Sequence, residues 1–386
     1  MDTRNRACDS TSHFSIGCNE ADERSYVEWS KYCMKIAITL FFRAPLGGLQ
    51  DNIHATAVNL MKNGHEVMVF CPPGPFQEIL KRDAIPVMDL IRGAADGLSF
   101  DLVHAHPGES RVFGQRLAQQ LDIPLFVTFH GSWIDDVISY HGECTRILAV
   151  SGAVRDKVVS AAPEAADKVE IIPNAVDLTR VTAGASSSRP AEGEYMRVLV
   201  ASRFDVDKKR LITSLISLWE EQAARSIRNI FWELAGDGTL LDDMREACQR
   251  IFGEGAPVRF YGWLDKPALS QLFETADVAL APGRSALEAM AWEKPVVPVG
   301  SAGCFGLLTE TSFDSAAYCN FGGFGLVSEP TSETVITDLA ALAANPVRRA
   351  ELGHLSRRYI ETHFDLANHH YSLERLYRIA IEAHRR

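Results

Sequence analysis

Three basic side chains follow one apolar run in the second half of the chain. Arg203 stands directly after "RVLVAS", and Lys208 and Lys209 come five and six residues later. Charged loops are often only solvated surface, which is the simple alternative. An Arg and a Lys behind a strand–helix turn are nevertheless what a diphosphate needs. The guanidinium binds phosphate oxygens through two hydrogen bonds, and the ammonium adds a compact positive charge.

A single carboxylate stands in the helical part of the stretch "PGRSALEAMAWEKPVV", residues 282–297. Ser285 and Glu288 have the spacing of a capping box, in which each side chain bonds to the backbone N–H of the other residue. The second interpretation is that Glu288 holds a ligand at the mouth of a sheet, because an apolar strand follows at once. The local sequence leaves both interpretations open.

Glycines and one histidine stand at the ends of other apolar runs. Gly47 and Gly48 precede a helical segment, and Gly236 and Gly238 flank the turn in "AGDGTLL". A turn without side chains lets backbone N–H groups approach an anion at the start of a helix, although plain turns would look the same. His130 ends the run "PLFVTFH", where a structural and a functional role are both open.

The sequence offers little to a metal ion or a bound cofactor. His104 and His106 alternate on one run without a third ligand at a suitable spacing, so we assign them structural roles. Asp205 and Asp207 resemble a metal-binding DxD motif but lie in a basic turn. Neither GxGxxG nor GxxxxGK[ST] occurs, which disfavours a dinucleotide oxidoreductase and a P-loop enzyme. We therefore expect neither a metal nor a cofactor.

From Met34 onward, short apolar runs alternate with helical patterns, first to about residue 173 and again from residue 197. The runs are "KIAITLFF", "HEVMVF", "DLVHAH", "PLFVTFH", "RILAVS", "VEIIP", "RVLVASR", "IFWELAGDG", "VRFYGW", "VALAPG" and "PVVPVG". Several are continuously apolar, which is typical of strands buried on both faces of a parallel sheet. The alternation predicts an α/β protein with two doubly wound, Rossmann-like domains and a ligand cleft at the carboxyl ends of the strands.

The pattern divides the chain into five parts. Residues 1–33 have no periodicity and no secretory signal core, so we predict a poorly ordered extension that the fold does not need. Residues 34–180 form the first Rossmann-like domain, and the small polar residues 181–196 form a linker. Residues 197–363 form the second domain. Residues 364–386 form a C-terminal helix that crosses back to the first domain.

Composition argues against several classes of function. Lys and Arg number 39 against 50 Asp and Glu, a net charge of −11 that suits neither nucleic acid nor an anionic membrane. Peripheral contact with the inner face of a membrane stays open. No apolar run approaches the roughly 18 residues of a spanning helix. The eight cysteines form no CxxC pair, so we expect a reducing, cytoplasmic location.

The order of the short motifs resembles family 4 of the glycosyltransferases from about Met34 to the end of the chain. The matching pieces are "GGLQ", "NLMKNGHEV", "FDLVHAH", "TFHG", "LAVSGAV", "VEIIPNAVDL", "ASRFDVDKK", "LAGDG", "VRFYGWLDKPALSQLFETADVALAPG" and "LEAMAWEKPVV". Each motif is weak alone, whereas their common order is specific. The resemblance implies the glycosyltransferase-B fold, with an N-terminal acceptor domain and a C-terminal nucleotide-sugar domain.

The resemblance also implies an activity. Members of the family transfer a sugar from a nucleotide diphosphate sugar, such as a UDP- or GDP-sugar, with retention and without a metal. The acceptor would be a glycan, a lipid-linked molecule or a small molecule, in polysaccharide or glycoconjugate biosynthesis. Catalysis would consist of stabilising the departing diphosphate, which itself would take the acceptor proton. The implied partners are therefore this donor and this acceptor, and not nucleic acid.

Roles carry over from the family residue by residue. His130 would face the transferred sugar, and Glu288 would hold the ribose hydroxyls. Arg203 with either Lys208 or Lys209 would neutralise the diphosphate. The remaining residues implied for the donor site are Gly47, Gly48, Gly236, Gly238, Gly283, Arg284 and Ser285.

One position departs from the family pattern. A second glutamate usually stands eight positions before the one in "LEAMA", near the donor sugar, but here that position is Leu280 and the loop is shortened to "APGRS". We expect Arg284 to take part of that space. The departure keeps two alternatives open, a nucleotide-sugar epimerase of the same fold and a non-catalytic nucleotide-sugar-binding homologue.

Overall fold

A computed structural model describes residues 33–41, 47–90, 97–131, 133–181, 195–322 and 329–386 of the chain. Of the predicted N-terminal extension, only Cys33 lies within these ranges. The predicted linker is described only at residues 181, 195 and 196. The expectation that the extension is poorly ordered therefore falls outside the described residues.

Seven parallel strands form the sheet of the N-terminal half, in the order β3-β2-β1-β4-β5-β6-β7. They are β1 (Lys35–Thr39), β2 (Glu66–Cys71), β3 (Val87–Asp89), β4 (Leu102–Ala105), β5 (Leu125–Phe129), β6 (Arg146–Ala149) and β7 (Val169–Ile171). β4 and β5 are buried along their whole length, as expected where helices cover both faces of a sheet. The strand order reverses between β1 and β4, and such a reversal opens a crevice at the carboxyl ends of the strands.

Five parallel strands form the second sheet, in the order β10-β9-β8-β11-β12. They are β8 (Met196–Ala201), β9 (Ile230–Ala235), β10 (Val258–Gly262), β11 (Val278–Ala281) and β12 (Val296–Pro298). Here the order reverses between β8 and β11, so this sheet also has a crevice at the carboxyl ends of its strands. Both halves are doubly wound, which confirms the predicted fold class.

Helices cover both sheets. In the N-terminal half they are α1 (Gly48–Lys62), α2 (Pro75–Arg82), α3 (Glu109–Leu121) and α4 (Gly152–Ala161). The later helices are α5 (Lys209–Ala224), α6 (Leu241–Phe252), α7 (Lys266–Thr275), α8 (Gly283–Ala291), α9 (Phe313–Tyr318), α10 (Ser332–Ala344), α11 (Pro346–His363) and α12 (Leu366–Arg385). In α5, Leu211, Leu215, Leu218 and Trp219 are buried, and this spacing gives the helix one apolar face for the core.

The chain passes between the two halves twice, and the two passages are bonded to each other. Val176 N–H donates to Phe364 O at 3.0 Å, and Leu366 N–H donates to Val176 O at 3.0 Å. After the second passage, α12 packs its buried Leu373 and Tyr377 into the core of the N-terminal half. The last helix therefore belongs to the first domain by its contacts.

None of the described helices combines the length and the apolar character that crossing a membrane requires.

Candidate active site

A cleft of about 840 Å³ lies between the carboxyl ends of the two sheets. Its walls come from both halves of the chain, at the crevices that the strand orders open. The implied site residues that line it are Gly47, Gly48, His130, Arg203, Lys208, Gly236, Gly283, Arg284, Ser285 and Glu288. Residues far apart in sequence thus meet along one cavity.

Lys209 and Gly238 do not line this cleft, although the resemblance implied both for the donor site. Lys209 is the first residue of α5 and its side chain is exposed. Gly238 has φ of 157°, and a Cβ placed there would lie 2.4 Å from the backbone of Phe204. Gly238 is therefore required for close packing beneath the turn, and Lys208 is the lysine that reaches the cleft.

The turn after β8 holds its cations with its own carboxylates. Arg203 Nη1 lies 2.8 Å from Asp205 Oδ2, and Arg203 Nη2 lies 3.0 Å from Asp207 Oδ2. Lys208 Nζ also contacts Asp207, at 3.3 Å. Asp205 accepts a further hydrogen bond from the backbone of Thr239, and this bond and Arg203 lower the pKa of its carboxyl. The DxD sequence therefore organises an Arg–Lys pair.

Glu288 lies in the second turn of α8 and not at its start. The N-cap of α8 is Pro282, no side chain caps the helix, and Ser285 lies inside it. The capping-box interpretation is therefore wrong. Instead Glu288 Oε1 lies 3.2 Å from Arg284 Nε at the cleft wall, with about a third of the Glu288 side chain exposed. Burial raises the pKa of its carboxyl, while the charge of Arg284 opposes that shift.

The glutamate that the family usually carries before this one has no counterpart at the cleft. Leu280 lies within β11 and is fully buried in the core of the second half. Only Pro282 separates β11 from α8, so no loop is present there to carry a side chain into the cavity. Arg284 does line the cleft, and its Cβ would lie 3.6 Å from a Cβ placed on Gly48. A Cβ at Gly48 would thus be in ordinary van der Waals contact with Arg284, which shows how close the two walls lie at this point.

His130 contacts His106, a histidine to which the sequence assigns a structural role. Its Nε2 lies 3.0 Å from Nδ1 of His106, at the ends of the adjacent strands β5 and β4. Burial and neighbouring imidazoles hold the pKa of both rings well below the usual value, so both are neutral. A hydrogen bond between two neutral rings sets which nitrogen of each ring donates and which accepts. Neither ring supplies a positive charge. The structural role of His104 is supported, because its ring bonds to Thr128 at 2.6 Å inside the core.

Direct contacts join the two walls of the cleft. Lys266 Nζ lies 2.7 Å from Asp51 Oδ1, and Asn174 Nδ2 lies 3.4 Å from Asn320 Oδ1. Outside the cleft lining, the Tyr318 hydroxyl of α9 donates to Asp156 of α4 at 2.5 Å and also joins the two halves. Sequence reasoning missed all of these residues, because each contact joins positions more than a hundred residues apart.

Several solved structures share this architecture. HepE from Anabaena, in complex with UDP and glucose, aligns over 89% of this chain and 99% of its own, with a TM-score of 0.67 and 18% identity. Sucrose-phosphate synthase from Thermosynechococcus elongatus aligns over 91% and 100%, with a TM-score of 0.66 and 18% identity. A glycosyltransferase from Rickettsia africae aligns over 90% and 99%, with a TM-score of 0.67 and 14% identity. At these identities the likeness establishes the glycosyltransferase-B fold.

The family comparison adds the activity class. Residues 46–180 match the sequence model of Glycosyltransferase Family 4, which covers most of the N-terminal half. The chain is a glycosyltransferase of the glycosyltransferase-B type. The resemblance to family 4 of the glycosyltransferases, which the motifs of this glycosyltransferase indicate, is thereby confirmed. No curated protein sequence matches it.

Proposed function

We propose that this glycosyltransferase moves a sugar from a nucleotide diphosphate sugar to a glycan, lipid-linked or small-molecule acceptor, with retention at the anomeric carbon. The observation that carries the proposal is the convergence of Arg203, Lys208, Glu288 and the start of α8 along one wall of the cleft. A cation pair, a helix N-terminus and a carboxylate in this arrangement match a diphosphate followed by a ribose.

The diphosphate would lie against the first turn of α8. The first N–H groups of a helix have no partner inside it and carry partial positive charge, so they bind phosphate oxygens well. Arg203 and Lys208 would add two full charges by exchanging some of their contacts to Asp205 and Asp207 for phosphate oxygens. This arrangement would stabilise the negative charge that develops as the bond from sugar to phosphate breaks.

The nucleoside would lie farther along α8, where Glu288 can accept hydrogen bonds from both ribose hydroxyls. The HepE structure contains UDP and glucose, which supports a uridine nucleotide as the first donor to test. A GDP-sugar stays the second candidate. Glu288 must be ionised for this role, and burial works against ionisation, so we expect donor affinity to weaken as the pH falls toward the pKa of this carboxyl.

The transferred sugar would project from the diphosphate toward the N-terminal wall, where His130 lies. A neutral imidazole can accept or donate one hydrogen bond to a sugar hydroxyl. The leaving phosphate would take the acceptor proton on the same face, and the contacts across the cleft would exclude water from the donor. The proposal also includes that the reaction needs neither a metal nor a cofactor and that the protein is cytoplasmic.

The proposal is tested in two steps. First, the melting temperature is measured with UDP, GDP and a panel of their sugars, and we expect one nucleotide family to stabilise the protein. Second, the binding donor is incubated with and without EDTA, alone and with acceptors, and products are followed by NMR. Transfer or slow hydrolysis that EDTA leaves unchanged, with an α-linked product from an α-linked donor, supports the proposal.

Other outcomes of the same incubation overturn it. Interconversion of nucleotide sugars without acceptor would identify an epimerase. Tight binding without turnover across the whole acceptor panel would identify a binding homologue, and an inverted product would remove the retaining mechanism.

A further inference from the structure

The turn that follows α9 takes part in the cleft wall at the place where the family pattern is interrupted. Cys319, Asn320 and Gly322 line the cavity. The Gly283 N–H, at the start of α8, donates to Phe321 O at 3.2 Å. This turn therefore lies directly against the short connection from β11 to α8, where no glutamate is available.

The backbone of this turn is held in an unfavourable conformation. Asn320 has φ of 51° and Phe321 has φ of 49°, both in the left-handed region. Asn tolerates that region, but a bulky residue such as Phe rarely occupies it. Such conformations persist only where the surroundings impose them, and they are concentrated at ligand sites.

The surroundings of the turn supply that constraint. The Phe321 side chain is 1% exposed and packs edge-to-face on Phe364, with ring centroids 5.6 Å apart. Gly300 packs so closely that a Cβ there would lie 2.4 Å from Gly322 O. The buried ring and the glycine contact together fix the turn and direct its polar residue, Asn320, to the cleft.

The position of Asn320 relative to α8 indicates which part of a donor it would meet. Glu288 lies in the second turn of α8, and Asn320 lies beside Gly283 at the start of the same helix. If the ribose lies at Glu288 and the diphosphate at the first turn, the transferred sugar comes next in the same direction. That direction leads to Asn320 and, from the opposite wall, to its hydrogen-bond partner Asn174.

We propose that Asn320 binds hydroxyl groups of the transferred sugar and so determines donor specificity, replacing the carboxylate that the shortened loop no longer supplies. This inference rests on the proposed function. An amide offers both donors and an acceptor to sugar hydroxyls, whereas a carboxylate offers acceptors only. Among the described residues, the amide nitrogen of Asn320 has no hydrogen-bond acceptor, so it is free to bind a sugar oxygen.

The test is the variant Asn320→Gly, because glycine adopts the left-handed conformation without strain and removes only the amide. Affinities are measured by calorimetry for two matched pairs, UDP with UDP-glucose and GDP with GDP-mannose. For the pair that binds, we expect unchanged affinity for the free nucleotide within twofold and a loss of about three- to tenfold for the nucleotide sugar, the effect of one or two hydrogen bonds.

The control is Ser226→Gly, a second left-handed residue, with φ of 54°, in the turn after α5 and away from the cleft. We expect it to leave both affinities unchanged. Equal losses for nucleotide and nucleotide sugar in Asn320→Gly, or no loss in either, would overturn the role of Asn320 alone. A wild-type protein that binds no nucleotide sugar would overturn both this role and the proposed function.

Discussion

Two clusters of arginine and carboxylate side chains in this protein have similar chemistry and different surroundings. On α12, Arg378 Nη2 lies 2.8 Å from Glu374 Oε1, and their side chains are 8% and 5% exposed. In the cleft, Arg203 Nη1 lies 2.8 Å from Asp205 Oδ2, with 35% and 31% of the side chains exposed. The distances are the same, so burial is the property that separates the two clusters.

The buried cluster is saturated by partners from the N-terminal half. Glu374 accepts hydrogen bonds from Asn63 at 2.8 Å and contacts His65 Nε2 at 3.1 Å, in addition to Arg378. Burial alone would raise its pKa, but the hydrogen bonds from His65, Arg378 and Asn63 outweigh burial and lower the pKa to about 2. This cluster fastens the last helix to the first domain.

The cleft cluster is open to exchange. Asp205 and Asp207 belong to the same turn as Arg203, and water reaches all three side chains. A ligand anion can therefore replace a carboxylate without leaving a buried charge unpaired. Arginine–carboxylate pairs thus fasten the structure where they are buried and can serve binding where they line a cavity.

Among the variants that test the contrast between buried and exposed pairs, Glu374→Gln should have the largest effect. The variant removes the carboxylate charge from the buried pair with Arg378, which should lower the free energy of unfolding by about 3 kcal/mol or more. The matched control is Glu221→Gln, because Glu221 pairs with Arg225 at the same i,i+4 spacing on an exposed helix surface. It should cost less than about 1 kcal/mol. Denaturant unfolding measures both, and equal effects would contradict the distinction by burial.

The same buried pair predicts an acid dependence. The pKa of Glu374 is lowered from 4.5 to about 2 in the folded protein. The stabilisation is therefore fully present above the ordinary pKa and is lost as the pH falls toward 2. The linkage amounts to about 3 kcal/mol. We expect unfolding measured between about pH 6 and pH 2 to show this loss in the wild type and not in Glu374→Gln. Parallel pH profiles would contradict the assignment.

In the cleft, Arg203→Ala should have the opposite effect. It should weaken nucleotide binding and leave the stability of the fold unchanged. Hydrogen bonds to charged groups contribute about 1.5–3 kcal/mol each, so the affinity for UDP or GDP should fall at least about tenfold. The control Arg210→Ala removes an exposed arginine that pairs with Glu329 outside the cleft. Calorimetry and melting curves separate the two properties. An unchanged nucleotide affinity would remove Arg203 from the diphosphate site.

Glu288→Gln tests the carboxylate next to the cations. Since α8 begins at Gly283 and no side chain caps it, the variant should melt close to the wild type. A single amide oxygen cannot reproduce two carboxylate acceptors for two ribose hydroxyls, so transfer should fall about tenfold, or about 1.4 kcal/mol. Initial rates with the identified donor measure this. Full activity in a stable variant would end the ribose assignment.

Much of the fold and part of this site follow from the sequence alone. Apolar runs and their alternation with helical patterns predict both sheets, because parallel strands buried on both faces need continuous apolar residues. Because Arg203 and His130 stand at the ends of predicted strands, the sequence also predicts that both lie at the cleft. The contact of His106 with His130 and the position of Asn320 at the cleft could not be predicted. The first depends on β4 lying next to β5, and the second depends on a strained turn that no local pattern announces.

Lys208 and Lys209 show the same limit, because the sequence alone does not say which of them reaches the cleft. Their variants have the smallest expected effects. The short 3₁₀ turn Val206–Lys208 ends where α5 begins at Lys209, so consecutive side chains point in different directions. Lys208 lines the cleft and contacts Asp207, whereas Lys209 is exposed outside it. Lys208→Ala should weaken nucleotide affinity about three- to tenfold, in line with one charged hydrogen bond partly screened by solvent. Lys209→Ala, its matched control, should change the affinity by less than about twofold. Titration with the same nucleotide measures the affinity of both variants. Equal losses would mean that both ammonium groups act through the electrostatic field of the turn and not through a contact in the cleft.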